Sequence, residues 1–193
     1  TANDITAALR SRFGDDIRPT EHTSDMLTLW VPEEKVRDVL RYLKTESSPR
    51  FRRMEDYTAI DESARRHPDQ FPDFTLVFNL LCFDPPLRMR LKVALYGDEP
   101  ETATISDLWP NADWYEREIY DMFGIRFRGH PNLKRLIMPP DWKGHPLRKG
   151  HPGRATDMPP YTFKEARKLQ PLGGDQYFAN EEDRETLILN MGP

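Results

Sequence analysis

Charged side chains crowd one short stretch of the chain, the segment ADWYEREIYDMF at residues 112–123. Glu116, Arg117, Glu118 and Asp121 are the types that exchange protons, form ion pairs and accept or donate charged hydrogen bonds. If the segment is a helix, residues three and four apart are neighbours, so the acids lie on more than one flank of its apolar stripe. Two interpretations stay open: a solvated helix face, or a charged and aromatic surface that meets a second surface.

Other reactive side chains give weaker signals. The single cysteine, Cys82, lies in an apolar run and is predicted to be a buried, inert thiol. One thiol excludes an internal disulfide and a self-contained iron–sulfur cluster, so any redox centre must belong to a partner. His130, His145 and His151 lie in polar loop sequence without a thiolate or a tight carboxylate cluster, which disfavours a metal site.

The elements that position these residues follow from periodicity. Helices are predicted for ITAALRSRF, capped by Asp4, and for EEKVRDVLRYLK, while MLTLWV and FRRMEDYTAID are typical of strands. FTLVFNLLCF and LRMRLKVALYG form a long hairpin, and the second arm alternates between apolar and polar residues, as in a sheet with one wet face. Thr104 is predicted to cap ISDLW, and Gly124 to end the helix at 112–123.

The charge and proline content change after this helix. Residues 126–154 contain eight Lys or Arg and one acid, Asp141, within a chain of net charge -4. Nine of the 18 prolines fall between Pro131 and Pro193. This part has too few apolar residues to form a compact layer by itself. The fold class is therefore α+β: a mixed sheet covered by helices on one face, followed by an extended, Pro-rich C-terminal strap.

The 22-residue run EREIYDMFGIRFRGHPNLKRLI, residues 116–137, is similar to the signature of a known family. It resembles that of the C subunit family, also called the thirty-kilodalton subunit, of NADH:quinone oxidoreductase (complex I). FPDFTLVFNLL and LRMRLKVAL resemble the paired strands of the family, and PNADWYERE and MPPDWKGHPLRK resemble the flanks of its signature. The resemblance covers nearly the whole chain and is weakest over residues 1–50.

The resemblance implies a structural and assembly subunit of the peripheral arm, supporting electron transfer from NADH to quinone as part of a proton-translocating complex. It implies that FMN, the iron–sulfur clusters and quinone are bound by partner subunits, and that the isolated chain catalyses nothing. The implied partners are the D subunit, the B subunit and other hydrophilic-arm subunits of complex I. The implied location is peripheral, on the cytoplasmic side of a bacterial inner membrane or on the matrix side in mitochondria.

No catalytic, cofactor-binding or metal-binding residue is predicted. The residues expected to position the strap or to contact neighbouring subunits are Glu116, Arg117, Glu118, Asp121, His130, Lys134, Arg135, Trp142, His145 and Arg148.

The expected organisation has three parts. Residues 1–128 form the core domain with the signature helix, 129–180 form the basic, Pro-rich strap, and 181–193 begin a second region. The last residues, LNMGP, resemble the opening of the D subunit, so we expect a fused C/D polypeptide in which the D subunit is covalently attached.

Three alternatives remain at this point. The nearest is the equivalent subunit of a related membrane-bound hydrogenase, which shares this module. A nucleic-acid adaptor built on the basic strap is disfavoured by the acidic net charge, so no nucleic acid is expected as a partner. A stand-alone enzyme needs a pocket with convergent titratable groups.

No apolar run approaches the ~20 residues that span a bilayer, so no transmembrane segment is predicted.

Overall fold

The structure is a computed structural model that describes residues 2–20, 26–64, 72–140 and 142–152. Contacts place residues up to Pro152 in one compact unit. The later part of the expected strap, 153–180, and the expected start of a second region, 181–193, lie outside the described residues.

A five-stranded mixed sheet forms the centre, with the order β1-β2-β5-β4-β3. β2 and β5 pair in parallel, and the other neighbours are antiparallel. The strands are β1 (Arg18–Pro19), β2 (Leu27–Trp30), β3 (Arg53–Asp61), β4 (Phe74–Phe83) and β5 (Pro86–Leu95). The structure confirms the predicted α+β class, the strands at β2 and β3, and the hairpin β4–β5.

The two faces of the sheet have the character that alternation predicts. Met89, Leu91 and Val93 of β5 are fully buried in the core. The residues between them face the other side, where Arg90 donates a hydrogen bond to the Asn79 side chain at 3.1 Å and Lys92 lies over the Trp30 ring. The hydrophobic effect therefore fixes which face packs and leaves the charged side chains hydrated.

Within the described ranges, three helices accompany the sheet: α1 (Ala2–Phe13), α2 (Glu33–Thr45) and α3 (Ala112–Phe123). The predicted apolar stripe of α2 is buried, and all four of its residues join the core: Val36, Val39, Leu40 and Leu43. α1 begins before Asp4, so this acid lies in the first helical turn instead of capping it. α3 has the predicted bounds and ends at Gly124, whose φ of 77° is in the left-handed region that glycine favours.

A small second sheet was not predicted. β6 (Glu101–Ala103) and β7 (Arg126–Arg128) pair in parallel on either side of α3 in the sequence. The predicted cap at Thr104 starts only a turn, because ISDLW is short and runs into Pro110. Thr104 does use its hydroxyl as expected of a capping residue, since Oγ1 accepts from the Ser106 amide at 3.2 Å.

The edge of the sheet at β3 is covered by side chains from around α3. Trp109, Asn111 and Tyr115 donate hydrogen bonds to the carbonyls of Arg52, Met54 and Glu55, at 3.0, 3.0 and 3.2 Å. An uncovered edge strand offers unpaired backbone groups to other chains. These three hydrogen bonds occupy backbone carbonyls at this edge and hold α3 against it. They thereby fix the positions of the charged residues of α3.

Candidate functional site

The charged residues of α3 lie in different environments. Glu116 and Asp121 have no exposed surface, Arg117 is 9% exposed, and Glu118 is exposed. A solvated helix face therefore describes Glu118 but not the other three. The buried residues contact the segment 129–152, which we call the proximal strap, and the candidate site is the joint between α3 and the proximal strap.

Asp121 is the centre of this joint. Its Oδ1 accepts from Arg135 Nη1 at 2.7 Å. Its Oδ2 accepts from three consecutive backbone amides, those of Leu136, Ile137 and Met138, at 3.0, 2.7 and 2.8 Å. Burial by itself raises the pKa of Asp121, but the hydrogen bonds from these amides and from Arg135 outweigh burial and lower it. The carboxylate therefore stays ionised at neutral pH.

Arg135 extends the network along the strap. While Nη1 binds Asp121, Nη2 donates to the carbonyls of Trp142 and Gly144 at 3.0 and 2.9 Å. The planar guanidinium thus connects the helix to two points of the strap that are seven and nine residues further along the chain. The strap thus folds around one partly buried cation, the Arg135 guanidinium.

The C-terminal end of α3 is completed by the strap. A helix leaves its last four carbonyls without intrahelical partners. Gly124 N–H binds the carbonyl of Tyr120. His145 Nδ1 lies 2.9 Å from the Asp121 carbonyl, the Leu147 amide donates to the Met122 carbonyl at 3.0 Å, and Arg148 Nε donates to the Phe123 carbonyl.

His145 and Arg148 approach so closely that position 124 has no room for a side chain. A Cβ at Gly124 would lie 2.6 Å from the His145 ring and 2.7 Å from the Arg148 guanidinium. Burial is the main cause that lowers the pKa of His145, and the nearby charges of Arg148 and Arg135 lower it further. His145 is therefore neutral at pH 7 and acts as a hydrogen-bonding group here, not as a cation.

Glu116 makes a separate contact at the other end of the helix. Its Oε1 accepts from the Ile105 amide at 2.7 Å, and Oε2 accepts from the Thr104 hydroxyl. These bonds hold the turn that follows β6. Burial raises the pKa of Glu116 to about 7, although the two hydrogen bonds oppose the rise.

His130 lies beside this acid with a fully buried side chain. Its Nε2 is 2.9 Å from Asp113 Oδ1 and 3.8 Å from Glu116 Oε2. Its Nδ1 accepts from the Asn132 amide at 3.0 Å, so in the neutral ring the proton is assigned to Nε2, which faces α3. His130 thereby fixes the beginning of the proximal strap to the first turn of the helix.

The remaining predicted residues occupy different positions. Arg117 Nε and Nη2 lie 3.3 and 3.4 Å from the carbonyls of Lys134 and Arg135, and its guanidinium stacks over the Trp114 ring. Trp142 is half-buried and its carbonyl binds Arg135. Glu118 and Lys134 are exposed and belong to the surface of the joint.

Three contributors to the joint were not predicted: Asp113, the Thr104 hydroxyl as a partner of Glu116, and the amides of residues 136–138. The amides leave no signal in the sequence, because every residue except proline has one. The sequence indicates Asp113 as a contributor only weakly, because an acid in the first turn of a helix is common for electrostatic reasons alone.

A cleft of about 820 Å³ lies elsewhere, between the end of β2, the start of α2 and the end of β5. Two of its acids are already paired: Asp16 with Lys35 at 2.7 Å, and Glu33 with Arg128 at 3.1 Å. Among the described residues no group of His, Cys, Asp and Glu is arranged to hold a metal ion. In the same part of the chain, none of the helices is both long and apolar enough to cross a bilayer.

The fold and the joint define a class of protein: an α+β domain in which buried charged side chains of α3 hold the segment that follows this helix. The chain belongs to the family described as respiratory-chain NADH dehydrogenase, 30 Kd subunit, whose model matches residues 29–157. This match includes all of α3 and the proximal strap.

The relatives are named for two subunits at once. The chain is 42% identical over 202 residues to the C/D subunit of the NADH-quinone oxidoreductase of Methylococcus capsulatus, covering 100% of this chain and 34% of that protein. For the C/D subunit of Acidiphilium cryptum the identity is 42% over 184 residues, covering 90% and 31%. For that of Pseudomonas aeruginosa it is 38% over 205 residues, covering 98% and 34%. The chain thus spans about a third of the length of these relatives.

Two solved structures share the fold. The trypsin-resistant fragment (1-134) of Nqo5 matches with a TM-score of 0.57 and 24% identity, over 68% of this chain and 98% of the fragment. A chain of the membrane-bound sulfane sulfur reductase, an archaeal respiratory membrane complex, matches with a TM-score of 0.65 and 22% identity, over 94% of this chain and 96% of that chain. At these identities the matches support the fold alone.

The raised pKa of Glu116 predicts a specific pH dependence. The folded state binds a proton with a pKa of about 7, whereas the ordinary value is 4.5. Between these values the folded state holds more protons than the unfolded state, so this contribution to the free energy of unfolding falls as pH rises and is lost above pH 7. In urea denaturation at pH 5 and pH 8, we expect the stability of the wild-type chain relative to Glu116→Gln to drop by on the order of 2 kcal/mol. An equal difference at both pH values would contradict the assignment.

Asp121 and Glu118 form a matched pair for a second prediction. Asp121→Ala leaves Arg135 and three part-buried amides without their acceptor, so we expect a loss of about 3–5 kcal/mol of unfolding free energy and faster proteolysis within the proximal strap. Glu118→Ala removes an exposed acid from the same helix and should change stability by less than about 0.5 kcal/mol. Denaturation and limited proteolysis of both variants measure this difference. Equal stability of the two variants would show that the strap is held by other contacts.

Proposed function

We propose that this chain is a non-catalytic structural and assembly subunit in the peripheral arm of a proton-translocating NADH:quinone oxidoreductase. Family membership supports the complex, and the C/D names of the relatives support fusion to the D subunit. The observation that carries the structural role is the joint, in which the buried charges of α3 bind the strap of the same chain. A carboxylate held by four donors, as Asp121 is, serves as an anchor in this proposal.

In this role, the chain depends on partner subunits for the redox groups. FMN, iron–sulfur clusters and quinone are bound by other subunits, and this chain contacts the D subunit, the B subunit and other hydrophilic subunits at the cytoplasmic side of the membrane. The equivalent subunit of another respiratory membrane complex is the second candidate. It is favoured by the fold shared with a chain of the sulfane sulfur reductase complex.

The ten signature and strap residues take two roles in this proposal. Residues that hold the strap in position are Glu116, Arg117, Asp121, His130, Arg135, Trp142, His145 and Arg148. Glu118 and Lys134 face outward and contact a neighbouring subunit. Three large apolar side chains of the same joint are also exposed: Trp114 by 57%, Ile137 by 59% and Leu147 by 51%. Exposed apolar groups of this size next to charges are typical of protein interfaces.

The assembly role predicts which quantity changes when the outer surface of the joint is altered. We expect Trp114→Ser with Leu147→Ser to lower the amount of assembled complex about tenfold, which corresponds to about 1.4 kcal/mol of binding free energy. NADH oxidation per assembled copy should stay unchanged. Native gels and activity of the membrane fraction separate the two quantities. Tyr96→Ser, at a 70% exposed aromatic outside the joint, is the control. Normal assembly with abolished electron transfer would refute the structural role.

Two truncations test the first boundary of the proposed division into a core, a strap and a second region. The sequence predicts that residues 1–128 fold by themselves. The contacts of Asp121 favour a longer unit, because truncation after Arg128 removes Arg135 and the amides that the buried carboxylate needs. We therefore expect a chain ending at Pro152 to unfold cooperatively and one ending at Arg128 to be several kcal/mol less stable. Equal denaturation midpoints would place the boundary at 128.

A further inference from the structure

A second surface lies away from the joint, where the hairpin β4–β5 meets the loop after α2. Three arginines and one aromatic residue form it: Arg50, Arg52, Arg53 and Phe83, which we name the hairpin-end patch. The arginines are exposed, and Phe83 is 62% exposed. Arg53 pairs in register with Leu81, which lies two residues before Phe83 on the same face of β4.

The patch is concave. A groove of about 550 Å³ runs between residues 46–50 and the hairpin end at residues 82–84, and Arg50, Arg52 and Phe83 are among its lining residues. The backbone around the groove is fixed from the inside. Ser47 Oγ donates to the Leu43 carbonyl at 2.8 Å, and the Arg52 carbonyl accepts from Trp109. The groove therefore exists before any partner binds.

The charges of the groove are not balanced within the described part of the chain. Glu46 lines the groove, but Arg12 already pairs with it at 2.8 Å. Nearby, Arg88 pairs with Glu55 at 3.2 Å. The side chains of Arg50, Arg52 and Arg53 have no hydrogen bond or ion pair among the described residues. Asp84 is the remaining acid at the groove, so the patch keeps a net positive charge.

We propose that the hairpin-end patch docks an acidic, extended segment of a partner protein, with carboxylates facing the arginines and an apolar side chain against Phe83. Guanidinium groups bind carboxylates through paired hydrogen bonds, and arginines and aromatics are enriched at the energetic centres of interfaces. This inference rests on the proposed function, because the partner is taken to be another subunit of the same complex.

The geometry favours a protein over the two other anionic partners. Binding to an anionic membrane typically uses clusters of about 4–8 Lys or Arg. Binding to nucleic acid uses many phosphate contacts along an extended basic surface. The hairpin-end patch offers two arginines that line a concave groove and a third, Arg53, beside it, in a chain of net charge -4. One short acidic segment satisfies these groups, whereas a polyanion would meet repulsion beyond the groove.

The test uses the assembled complex purified from its host. A photoreactive phenylalanine analogue replaces Phe83, and in a control strain it replaces Tyr96, an aromatic residue that is 70% exposed at the other end of β5. After irradiation, mass spectrometry identifies the attached molecule. We expect the analogue at position 83 to attach to a segment of another subunit in which acids outnumber Lys and Arg. The control position should not attach to that segment.

Two double variants then test the role of charge. We expect Arg50→Ser with Arg52→Ser to reduce the attachment yield at least threefold. Arg18→Ser with Arg126→Ser removes the same charge from two other exposed arginines outside the patch and should leave the yield unchanged. An equal reduction in both variants would show non-specific electrostatics and overturn the proposal.

The other outcomes are also decisive. Attachment to a lipid, to nucleic acid or to a basic segment overturns the proposed partner. Absence of attachment in a complex that contains this chain overturns docking at the patch and leaves the proposed function intact. If the unmodified chain does not purify with an NADH-oxidising, quinone-reducing complex, the proposed function fails and the inferred partner fails with it.

Discussion

The buried charge of Asp121 is the constraint on which the joint depends. A carboxylate removed from water costs several kcal/mol unless other donors replace the lost hydration. Helix α3 cannot supply these donors, because its backbone amides are bonded within the helix or lie at its other end. They come from Arg135 and from three consecutive amides of the proximal strap. The helix and the strap are therefore stable only together.

The same contacts explain what the basic composition of the strap is for. Arg135 and Arg148 bind backbone carbonyls of the strap and of the helix end, and Arg117 reaches back from α3 to two strap carbonyls. A carbonyl at the end of a helix carries part of the negative pole of the helix dipole, so cations are favoured there. Two of the eight basic side chains of residues 126–154, Arg135 and Arg148, are thus used inside the molecule on backbone carbonyls, and Arg135 also pairs with Asp121.

The sequence predicted most of the large elements because their signals are local. The stripe of α2 and the alternation of β5 are set by which face packs on the core, and both lie where periodicity placed them. The three-residue strands β6 and β7 were missed, since each exists only through pairing with the other across α3. Helical spacing identified which acids are neighbours, but it could not distinguish exposed Glu118 from buried Asp121. What packs on a helix face is decided by residues distant in sequence.

Two buried acids on one helix have pKa shifts of opposite sign, and the difference lies in the number of donors. Asp121 accepts from one guanidinium and three amides, which outweigh burial, so its pKa is lowered. Glu116 accepts from one amide and one hydroxyl, and these two bonds do not outweigh burial. The charges of Asp113 and Asp107 raise its pKa further. At neutral pH the contact that holds residues 135–138 keeps its full charge, while the contact at Thr104 and Ile105 is close to its titration point. The attachment of residues 135–138 to Asp121 therefore keeps its charge at neutral pH, whereas the contacts of Glu116, at the end of α3 next to β6, titrate there.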